Sequence, residues 1–340
     1  MIRTRKLTRH YRASWRSGAT VEAVKGLDMD IEAGELIGFL GPNGAGKTTT
    51  LRMLTTLLRP TGGEAVVAGH DLIRDPVGVR RRIGYIAQNS GSSPQSTVGE
   101  ELGLQGRLYG LNKADAASRA ADLMAQMDLT RLAGRITRTL SGGERRRLDV
   151  ALGLIHSPEL VFLDEPTTGL DPQSRASLWQ YLRRLHREQG TTLFLTTHYL
   201  EEADALADRI IIVDGGRIVA DGTPEALKAQ VSGDSVRVQV ADDGVSTAAE
   251  LIGQLPGVAE VRIEGATLSL RVPCGDDVLP QIIDVLHRGQ VSIRSLQVQR
   301  PTLDDVFLTL TGRHIGQGQD DHAAVPAPAS TGDGRGRVNA

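Results

Sequence analysis

The sequence predicts an α/β fold, with a mostly parallel sheet covered on both faces, followed by a small α+β unit of ferredoxin-like order. Three observations carry this. Short apolar runs alternate with helical stretches over residues 1–232. An apolar run, a glycine-rich turn and a helical stretch follow one another directly at Glu35–Leu40, Gly41–Gly46 and Lys47 onward. After Ser232-Gly233-Asp234 the rhythm changes to shorter segments in the order β-α-β-β-α-β.

Taken in order, residues 2–7 and 27–31 alternate as strands do and are joined by a polar loop around Ser14–Thr20. Glu35–Leu40 is a strand-sized apolar run. TTTLRMLTTLL after Lys47 has helical spacing and stops at Arg59-Pro60-Thr61-Gly62-Gly63. From about 90 to 157 the composition turns helical, with the clearest amphipathic stretch at 114–124, which predicts a helical subdomain. There follow a strand at 160–164, a helix at 174–189, a strand at 191–197, a helix from Leu200 and a strand at 209–214. Residues 233–312 form the accessory α+β unit. The Gly, Ala, Asp and Pro content of 313–340 predicts a disordered tail.

Lys and Arg number 39 against 41 Asp and Glu, a formal charge of −2, which gives no reason to expect nucleic acid as a partner. The single cysteine, Cys274, excludes an internal disulfide and suits a reducing compartment. No apolar run approaches the roughly 18–20 residues that cross a bilayer. The basic start MIRTRKLTRHYR is not followed by an apolar segment, so it does not read as a secretion signal. A cytoplasmic location is expected, and any membrane span must belong to another chain.

The chemistry begins at GPNGAGKTT, 41–49. Gly41, Gly44 and Gly46 let the backbone curl so that successive N–H groups point at phosphate oxygens, and the helix that starts there adds its positive end. Lys47 is placed to bridge terminal phosphates and the Thr48 hydroxyl to ligate Mg²⁺. Asp164 ends an apolar strand at the carboxyl edge of the sheet, beside that loop, where it can hold the same ion. Glu165 follows it immediately.

The order GPNGAGKTT, then LSGGE at 140–144, then LVFLDEPTTGLD at 160–171 resembles the ATP-binding subunits of ABC transporters. The resemblance implies a P-loop NTPase domain of the ABC ATPase kind with a helical subdomain. It implies ATP as ligand, with contacts from Gly41, Pro42, Asn43, Gly44, Ala45, Gly46, Lys47, Thr48 and Thr49. Glu165 is then the general base or water-orienting group. Gln88 touches Mg²⁺ and the attacking water, and His198, in TTHYLEEAD, contacts the γ-phosphate. Tyr11 matches the aromatic residue that stacks on adenine, although the segment that follows it is long and contains Trp15. Ser141, Gly142 and Gly143 close over a nucleotide held by a second subunit, with Asp171 across the seam. The implied partners are therefore a second ATP-binding subunit, in a homodimer, and an integral membrane permease.

Glu144 stands where glutamine is frequent, and a negative charge there calls for neutralisation by Arg145, Arg146 or Arg147. Those three arginines otherwise read as a solvated face rather than a nucleic-acid patch. LSGGERRRLDVALGLIHSPELVFLDEPTTGLDP and the closing PTLDDVFLTLTG, 301–312, resemble the bacterial daunorubicin/doxorubicin-resistance export group. That implies a motor subunit on the cytoplasmic side of the membrane, exporting a drug or other hydrophobic compound. A soluble ABC ATPase with a regulatory role is the alternative. The accessory unit stabilises the dimer, regulates the motor or is a packing appendage.

Overall fold

The computed structural model describes residues 1–12, 20–88, 91–231, 233–241 and 244–312, without the side chains of residues 259 and 260. Trp15 and the tail 313–340 lie outside the described residues. The chain opens with β1 (Ile2–Arg12) and β2 (Thr20–Ile31), a hairpin longer than the two short strands its alternation suggests. Next come β3 (Leu36–Leu40), α1 (Lys47–Leu54), β4 (Gly62–Val67), β5 (His70–Asp71), α2 (Pro76–Arg82) and β6 (Ile83–Ile86). Three helices follow, α3 (Val98–Leu108), α4 (Lys113–Gln126) and α5 (Gly142–Leu154). The alternation resumes with β7 (Leu160–Asp164), α6 (Pro172–Gln189), β8 (Thr192–Thr197), α7 (Leu200–Leu206), β9 (Arg209–Asp214), β10 (Arg217–Gly222) and α8 (Pro224–Lys228).

The central sheet has the order β10-β9-β3-β8-β7-β6, parallel except for the edge strand β10. Period-two alternation decides which core each side chain enters. Leu36 and Leu40 of β3, Val161 and Leu163 of β7, and Leu193 and Leu195 of β8 face one core with α5, α6 and α7. Ile37 and Phe39, Leu160 and Phe162, and Phe194 face the other, with α1 and the antiparallel sheet β2-β1-β4-β5. Phe194 stands between Phe39 and Phe162, with ring centroids 5.1 and 5.4 Å away. In the antiparallel sheet the alternation marks parts of β1 and β2 but misses β4 and β5, which are short and half-polar.

The second unit contains β11 (Asp234–Val240), α9 (Val245–Gly253), β12 (Ala259–Glu264), β13 (Thr267–Val272), α10 (Gly275–Arg288) and β14 (Ile293–Gln299). Its sheet is antiparallel in the order β12-β13-β11-β14, the ferredoxin-like arrangement. Val236, Val238, Leu268, Leu270, Ile252 and Ile282 give it a core of its own. The last helix, α11 (Leu303–Thr311), leaves that core. Its Leu303, Val306 and Phe307 are buried with Leu227, Val231 and the α7 residues of the first domain. Among the described residues no helix is long and apolar enough to cross a membrane.

Candidate functional site

Topology assembles the site. In a parallel sheet all strand ends of one kind lie along one edge. The carboxyl ends of β3, β8, β7 and β6 carry, in that spatial order, the glycine loop, His198, Asp164 with Glu165, and Gln88.

The loop is built for a close approach. A Cβ on Gly41 would lie 2.3 Å from the Val213 carbonyl of β9, and one on Gly46 would lie 2.5 Å from the Ala23 carbonyl of β2. Gly46, at φ 102, caps α1 through its backbone alone. No side chain caps this helix, and its first turn holds no acidic residue. Its N-terminal N–H groups thus remain for an anion. Asn43 and Gly44 are exposed at the tip, while Ala45 is buried and donates its N–H to the Pro42 carbonyl. The Lys47 ammonium is folded onto the loop itself, 2.6 Å from Gly41 O and 3.0 Å from Pro42 O. Burial pulls its pKa down, against the opposing pull of Glu165 and Asp164. Thr48 is exposed and Thr49 half-buried.

Asp164 continues the parity of Leu160 and Phe162, so it faces the α1 side and is buried. Its Oδ1 accepts a hydrogen bond from Thr196 Oγ1 at 2.7 Å. Burial raises its pKa, the Thr196 bond lowers it and the Glu165 charge raises it, for a net rise. Glu165 sits at φ 45, a conformation unusual for a residue with a side chain and one that clusters at functional sites. Its Oε2 accepts from Gln88 Nε2 at 3.1 Å and Thr168 Oγ1 at 3.2 Å, and its Oε1 lies 3.3 Å from His198 Nδ1. Residues 88, 165 and 198, far apart in sequence, therefore meet in one carboxylate-centred cluster.

Ser141 caps α5, and Glu144 closes a capping box: Ser141 N donates to Glu144 Oε2 at 2.7 Å while Glu144 N donates to Ser141 Oγ at 3.3 Å. This corrects the expectation for Glu144. Its closest cation is Arg135, at 3.5 Å, and of the three arginines after it Arg147 adds a weaker pull through space. The backbone N–H of Ser141 is the first cause of its lowered pKa. Gly143 lies against the α6 cap, since a Cβ there would meet Ser174 Oγ at 2.7 Å. Asp171 is that cap and accepts from Ser174 N and Oγ. Gly142 is exposed with open space around it.

Tyr11 pairs with Val21 across the hairpin whose Ala23 touches Gly46, and the Arg9 guanidinium lies 4.8 Å from its ring centroid. The choice between Tyr11 and Trp15 involves a residue outside the described ones.

Three residues near this site escape the motif reading. Thr196 holds Asp164. Glu202, fully buried, accepts from Thr167 Oγ1 and Trp179 Nε1 at 3.1 and 3.0 Å. Arg146 is buried, not solvated. Helical spacing carries the missed signal: Arg146 shares a face with Val150, Gly153 and Leu154, and Glu202 shares one with Leu206.

Among the described residues no group of three or more His, Cys, Asp or Glu could hold a metal ion. A cation here would need the hard oxygens of Asp164, Thr48 and Gln88 together with ligand phosphates, a donor set that suits Mg²⁺.

Comparison with known proteins follows the same two units. The family described as ABC transporter matches residues 24–168, and the family described as ATP-binding protein DrrA1-3-like, C-terminal domain, matches 222–311. The daunorubicin resistance ATP-binding protein DrrA3 of Streptomyces coeruleorubidus is 45% identical over 291 residues, covering 86% of this chain and 92% of the relative. The daunorubicin/doxorubicin resistance ATP-binding protein DrrA of Streptomyces peucetius is 44% identical over 304 residues, 89% and 92% of the two chains. The Nod factor export ATP-binding protein I of Cupriavidus pinatubonensis is 40% identical over 319 residues, 93% and 92%. Among solved structures, the dimeric ATP-binding cassette MJ0796 in a post-hydrolysis state with ADP and Pi aligns at TM-score 0.60 and 26% identity, over 66% of this chain and 98% of that one.

Proposed function

This chain belongs to the ABC transporter family as an ATP-hydrolysing subunit coupled to export, and from that premise we propose how its residues divide the work. Two copies associate head to tail, each nucleotide lying between the phosphate loop of one copy and Ser141–Gly143 of the other. The observation that carries the reading is the Glu165 cluster, which sets a carboxylate among Gln88, His198 and Thr168 at the strand edge shared with the phosphate loop.

Lys47 leaves its two carbonyl partners for the terminal phosphates, and the uncapped turn of α1 supplies N–H groups to them. Tyr11 offers an aromatic face to the adenine. Asp164, Thr48 and Gln88 would hold Mg²⁺, which when bound neutralises charge on the phosphates. Glu165 orients the attacking water and takes its proton, and His198 contacts the γ-phosphate. Asp171, next to Gly143, lies at the seam between copies.

The membrane partner belongs beside Gln88. A groove of about 350 Å³ there is lined by Leu57, Tyr85, Ala87, Glu101 and Tyr109, with Leu57 and Tyr109 exposed. An apolar-bodied segment of a permease fits such a groove, and in this reading the chain works from the cytoplasmic face of a membrane. The name of the relatives suggests an anthracycline-like drug as cargo. Replacing Glu165 with Gln in the full chain tests the assignment: ATP binding persists while turnover falls about a hundredfold or more. An unchanged rate sinks the role of Glu165. Recovery of the tagged chain with an integral membrane protein tests the partner.

A further inference from the structure

Helix α5 carries an arginine on its buried face. Arg146 is 6% exposed and in line with Val150, Gly153 and Leu154. The helix lies hard against the sheet there: a Cβ on Gly84 of β6 would stand 2.4 Å from Gly153 O.

The guanidinium is spread over three carbonyl groups. Its Nε donates to Pro166 O at 2.7 Å, its Nη2 to Asp164 O at 3.2 Å and its Nη1 to Ala87 O at 2.5 Å. Pro166 and Asp164 flank Glu165 on either side, and Ala87 immediately precedes Gln88. One rigid fork thus holds the backbone beside both Glu165 and Gln88, from a helix that Ser141 caps and Gly142 begins. Ser141 and Arg146 are five residues apart, about 7–8 Å along the helix axis. Burying a cation carries a desolvation cost that an apolar side chain of the same length avoids. What the guanidinium adds is direction, because its planar donors tie three separate carbonyls at fixed angles.

We propose that Arg146 is a positioning residue that couples the two ATP sites, relaying the seating of its own Ser141 turn on the partner's nucleotide to Glu165 and Gln88 of its own chain. This rests on the head-to-tail reading above. A packing role alone would act on the signature turn, and so on the partner's site. The relay acts on the site of the subunit that carries the arginine.

Mixed dimers of the full-length chain separate the two. One subunit carries Glu165→Gln, so turnover comes from the other, and two different tags isolate the mixed species. Arg146→Met in the active subunit is expected to lower kcat about tenfold with KM changed less than about twofold. Placed in the Glu165→Gln subunit, it leaves turnover within about twofold of the parent. Arg146→Lys in the active subunit recovers part of the loss, to about threefold below the parent. Where the Met variant melts well below the parent, the same comparison is read on the Lys variant. An equal loss from either subunit, or a larger one from the Glu165→Gln subunit, overturns the proposal. Ser141→Arg in the Glu165→Gln subunit reports separately on the shared sites: if it leaves turnover intact, the head-to-tail reading fails whatever Arg146 does.

Discussion

Replacing Glu202 with Ala removes a carboxylate that joins three functional segments. Glu202 lies four residues after His198. It accepts from Thr167 Oγ1, two residues after Glu165, at 3.1 Å, and from Trp179 Nε1, on the helix that Asp171 caps, at 3.0 Å. A hydrogen bond to a charged group contributes about 1.5–3 kcal/mol, so these two contribute about 3–6 kcal/mol, and Thr197 adds a third. Relief of the buried charge offsets part of this, leaving an expected loss of about 3 kcal/mol.

A double-mutant cycle with Trp179→Phe, followed by urea unfolding, isolates one bond, and a coupling energy of about 1.5–3 kcal/mol is expected. A coupling below about 0.5 kcal/mol would refute the reasoning. Burial raises the pKa of Glu202 above its ordinary 4.5, against the opposing effect of hydrogen bonds from Thr197, Trp179 and Thr167. A raised folded-state pKa contributes stability that is fully present below the unfolded value and is lost as pH rises through the folded one. The gap between the parent and Glu202→Gln should therefore be widest at acid pH and narrow above it.

Two further outcomes follow from single contacts. Thr196→Val removes the hydrogen bond that holds the raised pKa of Asp164 down. Asp164 must be ionised to hold a cation, so the acid limb of kcat/KM should move to higher pH, and an unmoved limb would count against the Asp164 role. Phe307→Ala opens a cavity in the core shared by α11 and the first domain, at an expected cost of about 3–5 kcal/mol. Urea unfolding followed by far-UV circular dichroism, and by the emission of Trp179 in the first domain, should shift accordingly. A shift confined to the second unit would show that α11 does not brace the ATPase core.

The parts of the site legible in the sequence are those whose chemistry needs a fixed local spacing. The phosphate loop needs its glycines within one turn, and Asp164 must end a strand whose alternate residues are all buried. The contacts of Gln88 and His198 with Glu165 are not local, and only the order of the parallel strands brings them together. Arg146 is misread for a different reason. Arg145-Arg146-Arg147 looks like one solvated turn, yet the helix rotates about 100° per residue and sends only the middle one inward. The Ser141–Glu144 capping box is visible as S-x-x-E, but phosphate chemistry draws attention to Ser141–Gly143 as ligands and to Glu144 as a charge rather than a cap. The destination of α11 is hidden altogether, because an amphipathic helix shows that it has an apolar face and not what covers it.

The head-to-tail site is the central claim, and the mass of the full-length Glu165→Gln chain in solution tests it most directly. With hydrolysis blocked, ATP and Mg²⁺ should convert the chain to a dimer by light scattering, ADP should not, and adding Ser141→Arg should leave it monomeric. A Glu165→Gln chain that binds ATP and stays monomeric, or a dimer indifferent to Ser141→Arg, would contradict the account.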